Sequence, residues 1–440
     1  MRTVTDIPRS RGTRNAKLAR IPLGMAGRAA VGFGRKLAGA DKSAVDAELS
    51  QKAAEQLFAV LGELKGGAMK FGQALSVMEA AIPDELGEPY REALTKLQAA
   101  APPLPTPEVH RVLDLQLGTK WRERFESFDD NPAASASIGQ VHRAVWADGR
   151  AVAVKVQYPG ADEALRADLK TLSRFAGAIA QITPGADVKP ILAELTERTE
   201  EELDYRIEAD HQRAFTRVFD EHSDFMVPRV VASAPKVVVT EWLTGTPLSA
   251  IIAEGTTAQR NRAGELLARF HLSSPALVGW LHCDPHPGNF MLLADNRLGV
   301  IDFGACAPFP DGLPPVLGRM VRLAREQDYG PLVAMLDEHG FVLPGRTVTP
   351  REIDEYLRPF TDPIKTESFH FTRAWLQRAA GVSANFNSPQ AKTARAMNLP
   401  AEYLMIFRVL AGSIGICAQL DGETPFLEIL TEWLPGYASP

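Results

Sequence analysis

Between residues 45 and 98 the chain is rich in Ala, Leu, Glu, Gln and Lys, the texture of helices. Gly62, Gly66, Gly67 and Gly72 are scattered through it. Ala101-Pro102-Pro103-Leu104-Pro105-Thr106-Pro107 then breaks the pattern, and a short helix is predicted over 108–117. From Ala133 the texture changes. Residues 137–145 read as a strand, Asp148-Gly149 as a hairpin turn and 151–156 as the returning strand. Helical pattern dominates to about Phe219, broken at Thr183-Pro184-Gly185, before two apolar β-type runs at 225–231 and 237–242. Residues 258–271 have helical composition. Residues 290–293 and 298–301 flank Asp295-Asn296, a second hairpin signal, and the rest of the chain is mostly helical. A β-rich lobe followed by a helical lobe predicts an α+β, two-lobed architecture. The boundaries so placed are a basic arm at 1–44, a helical extension at 45–130, a first lobe with a helical insertion at 131–245, and a helical second lobe at 246–440.

Hydrophobic residues at 45% and charged residues at 23% of 440 exclude wholesale disorder, collagen and a coiled-coil rod. Three cysteines without a CxxC pair exclude a disulfide framework or zinc ribbon and suit a reducing compartment. The longest run free of Asp, Glu, Lys and Arg, about 14 residues from Phe270 to Cys283, is shorter than a bilayer span. Charge is uneven. Residues 1–43 hold ten basic and two acidic side chains, a net of +8, so the remainder carries −14 of an overall −6. Leu18, Ile21, Leu23, Met25, Val31, Phe33 and Leu37 lie between those charges, a pattern that fits an anionic membrane surface. A flexible or partner-bound arm fits equally well, since Pro22, Gly24, Gly27, Gly32, Gly34 and Gly39 weaken a helix there. The acidic remainder speaks against nucleic acid as a partner.

The chemistry is concentrated in three places. Lys155 ends Val152-Ala153-Val154-Lys155 on a strand, where a lysine can pair phosphates. His282-Cys283-Asp284-Pro285-His286-Pro287-Gly288-Asn289 has the Asp-x4-Asn spacing of a kinase catalytic loop. Asp302-Phe303-Gly304 follows 18 residues after Asp284, across the second hairpin. Phosphoryl transfer needs such a set: a lysine with a carboxylate to hold it, oxygen ligands for Mg²⁺, here Asn289 and Asp302, and an acid that orients the attacking oxygen, here Asp284. Zinc binding by His282, Asp284 and His286 is the competing reading of the loop. Gly67-x4-Gly72 resembles a P-loop but has Gln73 where the lysine belongs. Residues 237–243 would be the strand and hinge facing adenine, with backbone groups near Glu241 and Leu243 bonding the base.

Three further elements give the chain a resemblance to the UbiB/AarF family of atypical, kinase-like proteins linked to ubiquinone and isoprenoid-quinone lipids. Lys70-Phe71-Gly72-Gln73 matches the family's Lys-x-Gly-Gln signature. Ala134-Ser135-Ala136-Ser137-Ile138-Gly139-Gln140-Val141 matches its alanine-rich nucleotide loop, with Ser135 where many members have Ala. Glu202-Leu203-Asp204, followed by Glu208, matches its Glu-x-Asp element and lysine-pairing glutamate. The resemblance implies a bilobal protein-kinase-like fold with an N-terminal helical extension. It implies a Glu208–Lys155 pair, and a gate of Lys70, Gln73, Glu202 and Asp204 across the region where ordinary kinases take a peptide. Asp204 and Glu208 are four apart and share a helix face, whereas Glu202 and Asp204 lie roughly 200° apart on a straight helix. Either the helix begins there or one of the two has another part.

The expectation is an atypical kinase or ATPase that binds ATP or ADP with Mg²⁺ and uses Asp284, Lys155 and Lys70. It acts on, or is coupled to, a lipid-like small molecule, in the cytoplasm or at the inner face of a membrane through the basic arm. No Ala-Pro-Glu follows Asp302-Phe303-Gly304, which speaks against a protein substrate. The alternatives are a small-molecule phosphotransferase of the aminoglycoside or choline kinase type and a nucleotide-gated, non-enzymatic lipid-binding protein.

Overall fold

The structure, a computed structural model, describes residues 103–136, 138–163, 165–166, 203–384 and 388–438. Lys70, Gln73, Ser137, Glu202, the basic arm and most of the helical insertion lie outside the described residues. Helix α1 (Thr106–Leu117) leads into strands β1 (Phe125–Ala136), β2 (Gly139–Trp146) and β3 (Ala151–Gln157). Helix α2 (Tyr205–Phe219) is followed by β4 (Phe225–Met226), β5 (Val230–Ala234) and β6 (Val237–Glu241). Strands β1-β2-β3-β6-β5 form an antiparallel sheet in that order. Along β3, Val152, Val154 and Val156 are buried and alternate with Ala153 and Lys155, the period of two of a strand with unlike faces. The valines pack with Val109, Val112 and Leu113 of α1, while Tyr205 and Ala209 of α2 pack with Ile138 and Val238. Lys155 therefore points away from the α1 core.

The first strand starts at Phe125, ahead of the boundary expected at 131, and Ala134 to Ala136 belong to it rather than to a free loop. Its pattern hid it from the sequence. Phe125 is its one buried residue, and three register shifts interrupt its pairing with β2. Another difference concerns the run at 225–231. Only Val230 and Val231 of that run join the large sheet; Phe225–Met226 pairs in parallel with the strand Leu298–Val300 in the other lobe.

That lobe opens with β7 (Thr246–Pro247), α3 (Leu248–Glu254) and α4 (Thr257–Val278). Next come β8 (Trp280–His282), β9 (Phe290–Leu292), β10 (Leu298–Val300) and β11 (Cys306–Pro308). Helices α5 (Pro315–Glu326), α6 (Tyr329–Glu338), α7 (Pro350–Leu357), α8 (Arg373–Ala384), α9 (Pro389–Ala394), α10 (Ala401–Leu420) and α11 (Phe426–Trp433) complete it. Helix α4 is capped at its start by Thr256 and Gln259 in a reciprocal box, and runs past the expected end at 271, through Pro275, to Gly279 in the left-handed region. The uncharged run from Phe270 is thus the end of α4, buried as far as Pro275, plus β8. Helix α10, with 20 residues, is long and apolar enough to cross a membrane by length and composition; 61% of its most apolar stretch is buried in this lobe. Val409, Ile416 and Leu420 place it in the core beside α4.

Candidate functional site

Two hairpin-like pairings carry the site. Strands β9 and β10 pair antiparallel, and Asn296 takes the positive φ of 64° that their turn requires. Strands β8 and β11 pair with His282 opposite Cys306. The loop 283–289 leaves β8 and enters β9, and residues 301–305 leave β10 and enter β11, so Asp284 and Asp302 emerge side by side. Both face Lys155 across a cleft of about 230 Å³ between the lobes. Ala134, Ser135, Ala136, Tyr205, Glu208, Asp284 and Asn289 are among its lining residues.

Lys155 Nζ donates to Glu208 Oε1 at 2.7 Å and Oε2 at 3.0 Å, and to Asp302 Oδ2 at 2.9 Å. Glu208 is buried in the first turn of α2, near the positive end of the helix dipole. Burial pushes the Lys155 ammonium down, but Asp302 and Glu208 outweigh it and hold it well above the usual lysine range. Burial pushes Asp302 up; Lys155 and the Gly304 N–H outweigh it and bring the carboxyl down to about 2. Burial wins at Glu208, whose carboxyl is raised, with the nearby Asp302 charge adding to it against the pull of Lys155. The cleft thus holds a fixed cation beside an ionised Asp302.

The catalytic-type loop is held by its own backbone. His286 N–H donates to Asp284 O at 2.8 Å, Asn289 N–H to His286 O at 2.9 Å, and Asn289 Nδ2 to Asp284 O at 3.1 Å. The last bond turns the amide's donor end into the loop and leaves its oxygen for a ligand. An amide oxygen from one loop and a carboxylate from the next are the hard donors that Mg²⁺ takes, so the residues fit that ion. His282 is buried, and its Nε2 donates to the Asp302 carbonyl at 2.7 Å, which fixes where Asp302 starts. His286 Nδ1 accepts the Gly288 N–H at 3.1 Å, and His282, Asp284 and His286 are not arranged as a metal-ligand set, which overturns the zinc reading. Among the described residues no group of three His, Cys, Asp or Glu is arranged to hold a metal.

Ala134, Ser135 and Ala136 pair with Val141, Gln140 and Gly139, so the alanine-rich segment is a tight hairpin over the cleft. Gly139 is irreplaceable there. A Cβ on it would sit 2.4 Å from Val156 O and 2.9 Å from Tyr205 Oη. Of the expected hinge, Glu241 is the last residue of β6 and Leu243 lies just beyond it. The Glu241 N–H donates to Arg229 O, and the Glu241 carboxylate binds Arg150 at 3.0 Å. Both groups are spent in the sheet, and neither Glu241 nor Leu243 lines the cleft. The side chain of Leu243 instead fills the space that Gly299 leaves open.

Asp204 has extended backbone angles and is the N-cap of α2, not a residue on its face. Its carboxylate accepts from the Arg206 N–H at 3.0 Å and from the Arg206 guanidinium at 2.6 Å. The helix does begin there, which removes the 200° difficulty. Two site residues went unread in the sequence. Tyr205 lies under Lys155, with Nζ 5.1 Å from its ring centroid. Gln157 Nε2 donates to Leu203 O at 3.1 Å and ties the start of α2 to the sheet. Nothing in spacing marks either, because each acts through a fold contact.

Comparison with known proteins agrees with this geometry. The model of the ABC1 atypical kinase-like domain matches residues 96–335, more than half the chain. Atypical kinase coq-8, mitochondrial, of Caenorhabditis elegans is 29% identical over 352 residues, covering 77% of this chain and 46% of the relative. Protein ACTIVITY OF BC1 COMPLEX KINASE 3, chloroplastic, of Arabidopsis thaliana is 29% identical over 450 residues, covering 98% of this chain and 59% of the relative. The chain thus spans about half the length of the curated relatives it matches. The solved complex of Rv3197 with erythromycin, from Mycobacterium tuberculosis, is 58% identical with a TM-score of 0.70, covering 91% of this chain and 100% of that one. With its bilobal kinase-like fold and this domain match, the chain belongs to the ABC1 atypical kinase-like family.

Proposed function

We propose that the cleft binds Mg²⁺-ATP or Mg²⁺-ADP and that the protein is a phosphotransferase or ATPase acting on a small, lipid-like molecule. The observation that carries this is the Lys155 ammonium bridging Glu208 and Asp302 in the cleft that Asp284 and Asn289 also line. Lys155, once a nucleotide displaces it from Asp302, neutralises phosphate oxygens while Glu208 keeps it aimed. Asp302 and Asn289 would hold Mg²⁺, whose charge offsets that of the phosphates. Asp284 orients the attacking hydroxyl or water and accepts its proton as the new O–P bond forms and the bond to the departing ADP breaks.

A peptide substrate is disfavoured by the chain path. From Gly304 it enters β11 at Cys306 and α5 at Pro315, leaving little loop to shape a peptide platform. The basic arm and the quinone-linked resemblance support a lipid acceptor at a membrane surface. The erythromycin complex of the 58% identical relative supports a second reading, an amphipathic macrolide as the acceptor or effector.

Asp302→Asn tests the nucleotide assignment. Calorimetry with Mg²⁺-ATP should show affinity lost by at least about tenfold, since both a metal ligand and a Lys155 partner change. Unaltered binding and phosphate release by this variant would overturn the assignment. Phosphate release measured with anionic vesicles carrying an isoprenoid quinone, and separately with erythromycin, sorts the two acceptor readings by which one stimulates it.

A further inference from the structure

The residue at the foot of the cleft that the phosphoryl-transfer scheme leaves without a task is Tyr205. It is 1% exposed, yet it lines the cleft. Its ring centroid lies 5.1 Å from Lys155 Nζ, inside the range where an ammonium is held by an aromatic face. The ring is locked from three sides. The Tyr205 N–H donates to Pro235 O at 3.0 Å, which pins the first residue of α2 to the β5–β6 turn. Asp204 caps the helix on one side, and Glu208 one turn further on grips the same lysine. At the far end, the hydroxyl occupies the space that Gly139 leaves by lacking a Cβ, 2.9 Å from where that carbon would be. Among the described residues the hydroxyl finds no hydrogen-bond partner. A buried oxygen without a partner costs about 1–3 kcal/mol, so hydrogen bonding is not what this side chain contributes.

We propose that Tyr205 is a positioning residue for the nucleotide site: its ring face holds the Lys155 ammonium at the height where phosphate oxygens enter. Lys155 has two carboxylates at one end of its reach and must leave Asp302 when a nucleotide arrives. An attractive surface with no negative charge of its own keeps the ammonium in place without competing with phosphate for it. The inference rests on the cleft being a nucleotide site.

The test uses the full chain and Mg²⁺-ATP. Tyr205 is replaced by Phe, by Leu, and by phenylalanines bearing one, two and three ring fluorines, which drain the ring face while changing its volume little. Calorimetry gives the affinity and a thermal melt gives the stability of each. Tyr205→Phe should bind as the wild type does. Affinity should then fall with each fluorine, reaching about five- to tenfold at three, the loss expected when a desolvated cation loses its aromatic face. Melting temperatures should stay level across the fluorinated set, which a purely packing role also predicts, so the affinity slope is the deciding readout. Equal affinity across that set, with loss only in Tyr205→Leu, would mean that the ring merely fills space and would overturn the proposal. Tenfold loss in Tyr205→Phe would overturn it too, by moving the effect to the hydroxyl. A wild type that binds no nucleotide would overturn the site reading itself, and this inference with it. A flat series over a binding wild type overturns this inference alone.

Discussion

At the scale of single residues, Lys155, Glu208 and Asp302 form a tightly bonded group. Three charges share one buried place, and the fold tolerates them because each has a partner. Glu208→Ala removes two of the lysine's three hydrogen bonds and leaves the ammonium to Asp302 and the Tyr205 ring. The loss of charge-assisted bonds should lower stability by about 2 kcal/mol, read as the denaturant midpoint, with nucleotide affinity falling in parallel. Lys155, Asp284, Asn289 and Asp302 were legible beforehand because their spacing along the chain is itself the signal. Glu208 came from a family resemblance, and Tyr205 from neither. The two differ in kind: the first set sits on one motif each, while Tyr205 matters only because α2 starts where Pro235 and Asp204 put it.

At the scale of elements, the sheet and the hairpin around Asn296 follow from alternation and turn chemistry. Strand β1 did not, because a mostly exposed strand with bulges has no alternation to show. The close approaches are also invisible in the chain. Gly318 in α5 lies against the tail, and a Cβ there would be 2.1 Å from Pro435 O and 2.5 Å from Tyr437 N. Gly436 answers it, with its own missing Cβ 2.2 Å from Pro315 O and a φ of 79°. Alanine in a helix is worth about 1 kcal/mol over glycine. The clash is with backbone, which cannot rotate away, so it outweighs that gain. Gly318→Ala should destabilise by about 1–3 kcal/mol, read as the denaturant midpoint. A variant more stable than wild type would show that the tail is not clamped.

At the scale of the whole molecule, buried neutral histidines set the acid limit. Burial lowers His271 to about 3, with the neighbouring His282 adding to it. Burial also lowers His282 and His142. Each is neutral when folded and binds a proton near 6.5 when unfolded, so the unfolded state gains protons first. Stability is therefore full above about pH 6.5 and is lost as pH falls below it, by up to about 1.4 kcal/mol per pH unit for each such group. Urea midpoints between pH 7.5 and 5 should show this slope, and His271→Gln should make it shallower by one proton's worth. The Lys155–Asp302 pair behaves differently: with Asp302 held at about 2, its contribution is complete above the usual carboxylate value near 3.8 and is lost as pH falls from there to about 2.

The order of the chain settled the two-lobed α+β architecture, the loop 282–289, the Asp302-Phe303-Gly304 step and the strand bearing Lys155, because these depend on residue type and spacing over a few positions. Only the tertiary structure decided that Lys155 bridges two carboxylates, that Asp204 caps a helix and that Glu241 is tied to Arg150. It alone seated Tyr205 beneath the lysine. Those outcomes rest on contacts between residues from two to 147 positions apart, and such contacts are chosen by packing and charge balance that no local pattern encodes.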